Sequence, residues 1–318
     1  MSGRDLMPSR WRGQKGRLEV WYATFTDPRT GEGFWVHYEL VSPHDGGAPR
    51  RHGWAVAFPP DGPPVTGRFA GDAAAGPGDG LALFAADGAT VRDGTLEGRA
   101  GELAWSLGYT DDADRPLYTF PRLAWQRELL PAAQVVPAPA ARFTGTFTVG
   151  DRTVELERAR GAVARIYGQG NAERWGWLHA DLEHGDVLEI VAAVSRRPGL
   201  NRLPPSSLLQ LRRHGRDWPR SPLAAAQLLK TDLRRDGFTT RGTLGRRRLR
   251  AEVRIDPDHA VTLDYDDTEP PGPRCTNSER ASLELVVERR ARGGWRTELS
   301  ERLDGTAHAE VGFRDERP

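Results

Sequence analysis

The sequence predicts an all-β protein made of two antiparallel units, with at most one or two short helices. Turn motifs rich in Gly, Pro and Asp, such as DPRTGEG, PPDGPP and EPPGP, recur at intervals of about ten residues. Short runs of Val, Leu, Trp, Tyr, Phe and Thr separate them, and these residues favour strands. The length of 318 residues allows two domains of about 150 residues each. We expect two β-barrel-like or sandwich-like domains packed together.

The composition excludes several classes of protein. The 45 Lys and Arg balance the 44 Asp and Glu, so we expect no nucleic-acid partner. The single cysteine, Cys275, rules out an internal disulfide. No apolar run approaches the roughly 18 residues that span a bilayer, and the polar, basic N-terminus does not resemble a signal peptide. We predict a cytoplasmic protein without membrane insertion, and its oligomeric state stays open.

Four segments are expected along the chain. Residues 1–16 are polar and predict a flexible N-terminal segment. Residues 17–130 predict the first β domain. The proline-rich residues 131–141 show no strand or helix period, so we expect an extended linker there. Residues 142–318 predict the second β domain.

Two local patterns refine this division. The segment Pro222–Arg235 has a proline near its first turn and Gly237 just after it, which favours a helix, although a strand remains an alternative. The segment Arg92–Asp112 is similar to Thr240–His259 in its Gly-Thr-Leu start and the alternation that follows. The similarity makes an internal duplication plausible.

Two strands combine tryptophan, histidine and a carboxylate on one face. Successive side chains of a strand point to opposite faces. The two sets that share a face are Trp35, His37 and Glu39 in FWVHYELV, and Trp175, Trp177, His179 and Asp181 in RWGWLHAD. Such faces fit the lining of an apolar ligand cavity with a few orienting polar groups, and they also fit an ordinary aromatic core. Both interpretations stay open at this stage.

Motifs for other chemistries are weak. The histidines are scattered, and His179 and His184 share neither a strand face nor a helix face, so we expect no metal. The chain lacks a Gly-x-Ser-x-Gly motif, and Gly168 and Gly170 form a hairpin without the helix of a dinucleotide loop, so we expect no cofactor. The run GRRRLRAEVR is expected to be a solvated sheet face. Its use as a protein or nucleic-acid interaction surface is the alternative function.

The aromatic faces therefore carry the candidate chemistry. A carboxylic acid in an apolar cavity has its pKa raised, which makes it a proton donor near neutral pH. Indole and phenol rings beside it can stabilise a developing carbocation through their π faces. The residues favour protonation of an alkene, a guided cyclisation or simple binding of a lipid, without deciding among them.

The order of motifs resembles a known superfamily. The segment LEVWY, with Glu19, Trp21 and Tyr22, precedes the turn DPRTG and the strand FWVHYEL. These motifs are similar to the start of the hydroxyneurosporene synthase-like (carotenoid hydratase) and tocopherol cyclase-like group, which also includes decalin-forming Diels-Alderases. The segment YGQGNAERWGW resembles its Tyr-Gly hairpin and Asp-His-Asn-Trp-Gly strand, with Trp175 and Gly176 at the Trp-Gly positions.

This chain departs from that motif, because Ala172, Glu173 and Arg174 stand where relatives have Asp, His and Asn. The resemblance implies two lipocalin-like (calycin-type) β domains with a hydrophobic site in or between them. It also implies an isoprenoid or polyketide-like ligand and cyclase, hydratase or isomerase chemistry without a redox cofactor. The expected acid and base residues are Glu39, Glu173, His179 and Asp181. The expected ligand-binding residues are Trp21, Tyr22, Trp35, His37, Trp54, Tyr167, Trp175 and Trp177.

Overall fold

Two large antiparallel sheets make up nearly all of the fold, as the turn pattern predicted. The computed structural model describes residues 2–72, 83–86, 88–128 and 130–314. Helical structure within these ranges is short: α1 (Arg122–Arg127), α2 (Leu223–Ala226) and two 3-10 turns at Arg4–Leu6 and Pro257–His259.

The first sheet contains the first ten strands of the chain. They are β1 (Arg17–Thr26), β2 (Gly33–Ser42), β3 (Arg50–Phe58), β4 (Val65–Asp72), β5 (Phe84–Ala86), β6 (Ala89–Arg92), β7 (Thr95–Ala100), β8 (Leu103–Asp111), β9 (Ala132–Val149) and β10 (Arg152–Gly168). Their spatial order is β4-β3-β2-β1-β10-β9-β8-β7-β6-β5. The end strands β4 and β5 contact each other, so the sheet curls round on itself.

The second sheet repeats this plan. Its strands are β11 (Arg174–Asp181), β12 (Val187–Val194), β13 (Ser206–Arg213), β14 (Arg216–Trp218), β15 (Leu229–Arg234), β16 (Gly237–Leu244), β17 (Arg247–Arg254), β18 (Val261–Asp264), β19 (Arg274–Ala291) and β20 (Gly294–Phe313). The order is β14-β13-β12-β11-β20-β19-β17-β16-β15, with β18 paired separately to β19. Strand β13 contacts β15, which curls this sheet as well.

The two sheets have equivalent connectivity. In each, the first strand pairs with the last strand, β1 with β10 and β11 with β20. The two similar sequence segments contain the hairpins β7–β8 and β16–β17, which hold equivalent places in the two strand orders. Equivalent strands in equivalent places favour the duplication that the sequence similarity indicated.

Strand alternation divides the apolar residues among three clusters. One face of β2, with Phe34 and Val36, packs inside the first curled sheet. One face of β11, with Leu178 and Ala180, packs inside the second. The opposite faces of the same strands meet in a third cluster between the sheets. This third cluster positions the candidate site.

The predicted linker is part of a strand. Residues 132–141 belong to β9, are largely buried, and pair with β10, so the two sheets divide at residues 169–173 and not at 131–141. Prolines fit in this strand because β8 pairs only with residues 141–149 of β9, and the pairing with β10 is irregular beside Pro137 and Pro139.

The N-terminal segment is also better ordered than expected. Leu6 and Met7 are buried. The carbonyl oxygens of residues 6–8 accept hydrogen bonds from the Arg165 guanidinium at 2.6–2.7 Å. The sequence patterns did not reveal this contact because they relate only neighbouring residues, and Arg165 lies far along the chain on β10.

The segment Pro222–Arg235 contains both alternatives that its sequence left open. Leu223–Ala226 forms the helix α2, and Leu229–Arg234 forms the strand β15. On β17, Arg248, Arg250 and Arg254 are exposed and form ion pairs with Glu288 or Glu252. This arrangement is the solvated face expected for the arginine run.

Candidate small-molecule site between the sheets

A cavity of about 110 Å³ lies between the two sheets, within the third apolar cluster. Strands β1, β2, β9 and β10 supply one wall, and β11, β12 and β20 supply the other. Partly exposed residues at its edge, such as Phe120, Ala172 and Ala193, mark where it reaches the surface. Its lining consists of Val20, Tyr22, Trp35, His37, Glu39, Phe120, Ala132, Ala133, Gln134, Ile166, Gly170, Asn171, Ala172, Trp175, Trp177, Val191, Ala193, Tyr265 and Glu310.

Aromatic rings fix the shape of this cavity. Tyr22 of β1 meets Trp177 of β11 edge to face, with ring centroids 5.5 Å apart. Trp35 is likewise edge-on to His37 at 5.4 Å. The Tyr22 hydroxyl accepts a hydrogen bond of 2.8 Å from the Gln134 amide. The contact of Tyr22 with Trp177 joins the two sheets, and the other two contacts hold side chains of the first sheet in defined orientations.

His37 is the least satisfied polar group of the cavity. Its ring lies flat on Trp54, with centroids 4.1 Å apart and planes 6° from parallel, and it is 4 % exposed. Neither ring nitrogen has a hydrogen-bond partner. Burial holds the pKa of His37 well below its usual value, and the nearby His52 and Arg68 lower it further. The ring is therefore neutral and offers one donor and one acceptor.

Glu310 of β20 supplies a partly buried carboxyl group on the opposite wall. It accepts hydrogen bonds from Trp175 Nε1 at 2.7 Å, from the Tyr265 hydroxyl at 3.3 Å and from Cys275 Sγ at 3.6 Å. Burial raises the pKa of Glu310 above its usual value, although these bonds act in the opposite direction. The raised pKa favours the protonated acid, which is the form that can donate a proton.

Glu39 is a second acid on the lining. Its Oε2 lies 2.9 Å from His52 Nε2, while its Oε1 has no partner. Burial raises the pKa of Glu39, and the bond to His52 lowers it by less. Burial alone would lower the pKa of His52, but the bond to Glu39 raises it above its usual value. The pair can therefore hold and release a proton at the edge of the cavity.

A buried polar network lies directly behind Trp177. Glu189 accepts from Trp177 Nε1 at 3.0 Å and lies 2.8 Å from His179 Nδ1. The His179 ring stacks with His308 at 5.7 Å, and His308 Nε2 is 2.9 Å from the Thr26 hydroxyl. This network fixes the indole of Trp177 and leaves His179 outside the cavity lining.

The sequence-predicted residues separate into three sets. Those that line the cavity are Tyr22, Trp35, His37, Glu39, Trp175 and Trp177. Two others lie one layer behind it, Trp54 against the His37 ring and His179 against Glu189. The four that lie elsewhere are Trp21, Tyr167, Glu173 and Asp181.

Each displaced residue has a local reason. Trp21 points into the first sheet's core, because it alternates with Tyr22, and its Nε1 donates to the Met7 carbonyl at 2.8 Å. Tyr167 packs with Trp125 near the N-terminal segment. Glu173 is partly exposed and provides only backbone hydrogen bonds, and Asp181 is ion-paired with Arg142. None of the four is placed to touch a molecule in the cavity.

The sequence analysis missed Glu310, Tyr265 and Cys275. Glu310 carried a usable pattern, because His308 and Glu310 alternate on one strand as His37 and Glu39 do. Tyr265 and Cys275 gave no such pattern, since Tyr265 follows the short strand β18 and Cys275 is the isolated thiol. Among the described residues, no group of three or more His, Cys, Asp or Glu side chains is placed to hold a metal ion. No helix in the described ranges is long and apolar enough to cross a membrane.

The fold and cavity define a class of all-β proteins in which two curled sheets enclose a site between them. No protein-family model matches the chain. The uncharacterized protein Rv0493c of Mycobacterium tuberculosis is 48 % identical over 305 residues, which cover 96 % of this chain and 89 % of that protein. The chain belongs to the same family as this mycobacterial protein.

Solved structures of low sequence identity share the fold. Kievitone hydratase from Nectria haematococca has a TM-score of 0.56 at 11 % identity, over 93 % of this chain and 89 % of its own. An AttH-like protein from Nitrosomonas europaea has a TM-score of 0.55 at 14 % identity, over 93 % and 92 %. CghA in complex with Sch210972 has a TM-score of 0.54 at 14 % identity, over 93 % and 87 %. At these identities the likeness establishes the fold alone.

Proposed function

We propose that the protein binds a hydrophobic small molecule of isoprenoid or polyketide type in the cavity between the sheets. The observation that carries this proposal is His37, a buried neutral imidazole with two unpartnered nitrogens in an otherwise aromatic wall. A buried polar group without a partner costs about 1–3 kcal/mol, so a site of this kind is best explained by a ligand that completes it. The ligand then carries a hydroxyl or carbonyl group beside His37.

The size of the cavity limits what it holds. An apolar cavity of about 150 Å³ accommodates benzene. The 110 Å³ between the sheets is smaller, so it holds at most one such ring or one isoprenoid branch. The remainder of a larger ligand would extend past Phe120 and Ala172 towards solvent. The proposal is thus recognition of one end of a lipophilic molecule.

Two measurements test binding. Native mass spectrometry of freshly purified protein should detect a co-purifying lipophile, and titration with geranylgeraniol or an aromatic polyketide should change tryptophan fluorescence. Trp177→Phe should weaken that binding several-fold. Trp21→Phe is the matched control, because Trp21 is equally buried and also donates one hydrogen bond, but lies outside the cavity. Absence of any lipophile and of any fluorescence change would contradict the proposal.

We further propose that the same site catalyses a hydration, cyclisation or isomerisation without a redox cofactor. The supporting observation is that Glu310 and Glu39, both with raised pKa, face the cavity that also contains the neutral His37. An acid and a base in one apolar chamber can protonate a double bond and accept a proton elsewhere on the ligand. In this proposal Glu39 keeps the acid role that the sequence gave it, and Glu310 takes the role that the sequence gave to Glu173 and Asp181.

The test separates catalysis from binding. Glu310→Gln keeps the shape of the side chain and loses the acid, so turnover should fall by at least a hundredfold while affinity changes little. Glu173→Gln is the control, since Glu173 lies outside the cavity. Equal turnover in Glu310→Gln, Glu39→Gln and the parent would exclude general-acid catalysis by these residues and leave a binding protein. The proposal also places this chain in the hydroxyneurosporene synthase-like and tocopherol cyclase-like superfamily. The fold that it shares with kievitone hydratase and CghA supports this placement.

A further inference from the structure

A second groove lies at one end of the second curled sheet and shares no lining residue with the cavity between the sheets. The β13–β14 hairpin forms one side, and β17, β19 and β20 form the other. Its floor is apolar, with Leu211, Val287 and Leu299 at the edge of the second sheet's core.

Arginine dominates the rim of this groove. The lining contains five arginines, at positions 115, 213, 216, 220 and 247, and two carboxylates, Asp217 and Glu298. Five positive charges less two negative charges leave an excess of three. The whole chain has a formal net charge of only +1, so this surface is a local concentration of positive charge.

The two carboxylates are already engaged. Asp217 Oδ1 accepts from Arg212 Nε at 2.7 Å, and its Oδ2 lies 3.1 Å from Arg115 Nη2. Glu298 pairs with Arg247 through both oxygens. The bond from Arg247 lowers the pKa of Glu298, and the nearby Arg289 and Arg213 add to the lowering. Both acids therefore stay ionised, and their oxygens are already bonded to arginines of the protein.

Arg216 and Arg220 remain available. Both are exposed lining residues of the β13–β14 region, and neither takes part in an ion pair in the part of the chain that the structure describes. Trp218 lies between them in sequence, with the Arg247 guanidinium 5.6 Å from its ring centroid. Free guanidinium groups are thus placed beside an apolar floor and an indole.

We propose that this groove binds an anionic amphiphile, a molecule with an apolar body and one acidic group. The apolar body covers Leu299 and Trp218, and the carboxylate, sulfate or phosphate group meets Arg216 and Arg220. Guanidinium groups recognise such oxyanions through paired hydrogen bonds. The inference is independent of the function proposed for the cavity between the sheets.

Decanoate, kept below its critical micelle concentration, is a suitable probe for calorimetric titration of the full chain at low ionic strength. We expect decanoate to bind and decan-1-ol to bind at least tenfold more weakly. The double variant R216Q/R220Q should weaken decanoate binding about two- to thirtyfold, since each of two exposed ion pairs contributes about 0.2–1 kcal/mol. Neither arginine is part of the core or of an ion pair, so the variant should fold.

Two control variants make the test specific. R197Q/R202Q removes the same charge from two other exposed arginines and should leave decanoate binding unchanged. Trp177→Phe alters the cavity between the sheets and should also leave it unchanged. The proposal is overturned if decanoate does not bind, if both double variants weaken it equally, or if Trp177→Phe abolishes it. Binding to phosphatidylglycerol vesicles without binding to free decanoate would also overturn it, because the partner would then be a membrane surface.

Discussion

Replacing His37 by phenylalanine should stabilise the ligand-free protein and weaken its binding of the ligand. The His37 ring lies flat on Trp54 at 4.1 Å, and a phenyl ring can keep this stacking. The variant removes an imidazole with no hydrogen-bond partner, and a buried polar group left without a partner costs about 1–3 kcal/mol. The additional volume can be taken up by the adjoining 110 Å³ cavity, which limits overpacking. We expect the free energy of unfolding to rise by about 1–3 kcal/mol.

Urea denaturation at pH 7.5, above the ordinary histidine pKa of 6.5, measures this change with the imidazole neutral in both states. The matched control is His308→Phe. His308 is equally buried and its Nδ1 also lacks a partner, but its Nε2 is 2.9 Å from the Thr26 hydroxyl, so His308→Phe loses a hydrogen bond and should be about 1–3 kcal/mol less stable than His37→Phe. Ligand affinity should fall about 2- to 12-fold in His37→Phe, through loss of one hydrogen bond.

A fall in the free energy of unfolding of His37→Phe would refute the reasoning. If His37→Phe is destabilised as much as His308→Phe, the nitrogens of His37 are satisfied in the ligand-free protein. The ring would then be a structural part of the core, and the main support for a ligand at this position would be lost. Unchanged ligand affinity with raised stability would place the ligand elsewhere in the cavity.

The parent protein should lose stability as pH falls below 6.5, because the folded pKa of His37 is lowered and the unfolded chain takes up its proton first. The stability of His37→Phe should fall less steeply than that of the parent, by up to about 1.4 kcal/mol per pH unit. Thermal melts at pH 7 and 5.5 measure the difference. His184→Asn, at an exposed position, is the control and should follow the parent. Asp181→Asn should lower stability by about 1.5–3 kcal/mol in urea, because it weakens the buried pair with Arg142, yet ligand titration should show unchanged affinity. A large loss of affinity in Asp181→Asn would return that residue to the binding site.

Local alternation was enough to predict the faces of the two central strands. Trp35, His37 and Glu39 share one face of β2, and Phe34 and Val36 share the other, as a period of two requires. The turn motifs likewise predicted the all-β class. Both properties depend on residues close together in the sequence.

The other wall of the cavity depends on contacts between distant residues. Glu310 contacts Trp175 because β20, the last strand of the second sheet, pairs with β11, the first. The two residues are 135 positions apart in the sequence. Trp21 shows the same limit, since alternation separates it from Tyr22 without telling which of the two meets the second sheet. The first part of β9, within residues 131–141, was predicted as a linker because its prolines obscured the pattern. Those prolines are tolerated because β8 pairs only with residues 141–149.

Several ionisable side chains lie in the seam, which is the interface between the two sheets, and stability alone does not explain them. Glu39, Glu189 and Glu279 are fully buried there and Glu310 is partly buried, and burial raises the pKa of each. Apolar residues of similar volume would serve a purely structural interface at least as well, because buried ionisable groups carry a desolvation penalty. The interiors of the two curled sheets also hold buried polar groups, the ion pair of Glu19 with Arg165 beside Trp21 in the first and the hydroxyls of Ser207, Thr231 and Thr240 in the second. Each of these groups has a partner within the protein. Two of the four acids, Glu39 and Glu310, line the cavity between the sheets, and acids that face a cavity support the function proposed for the seam.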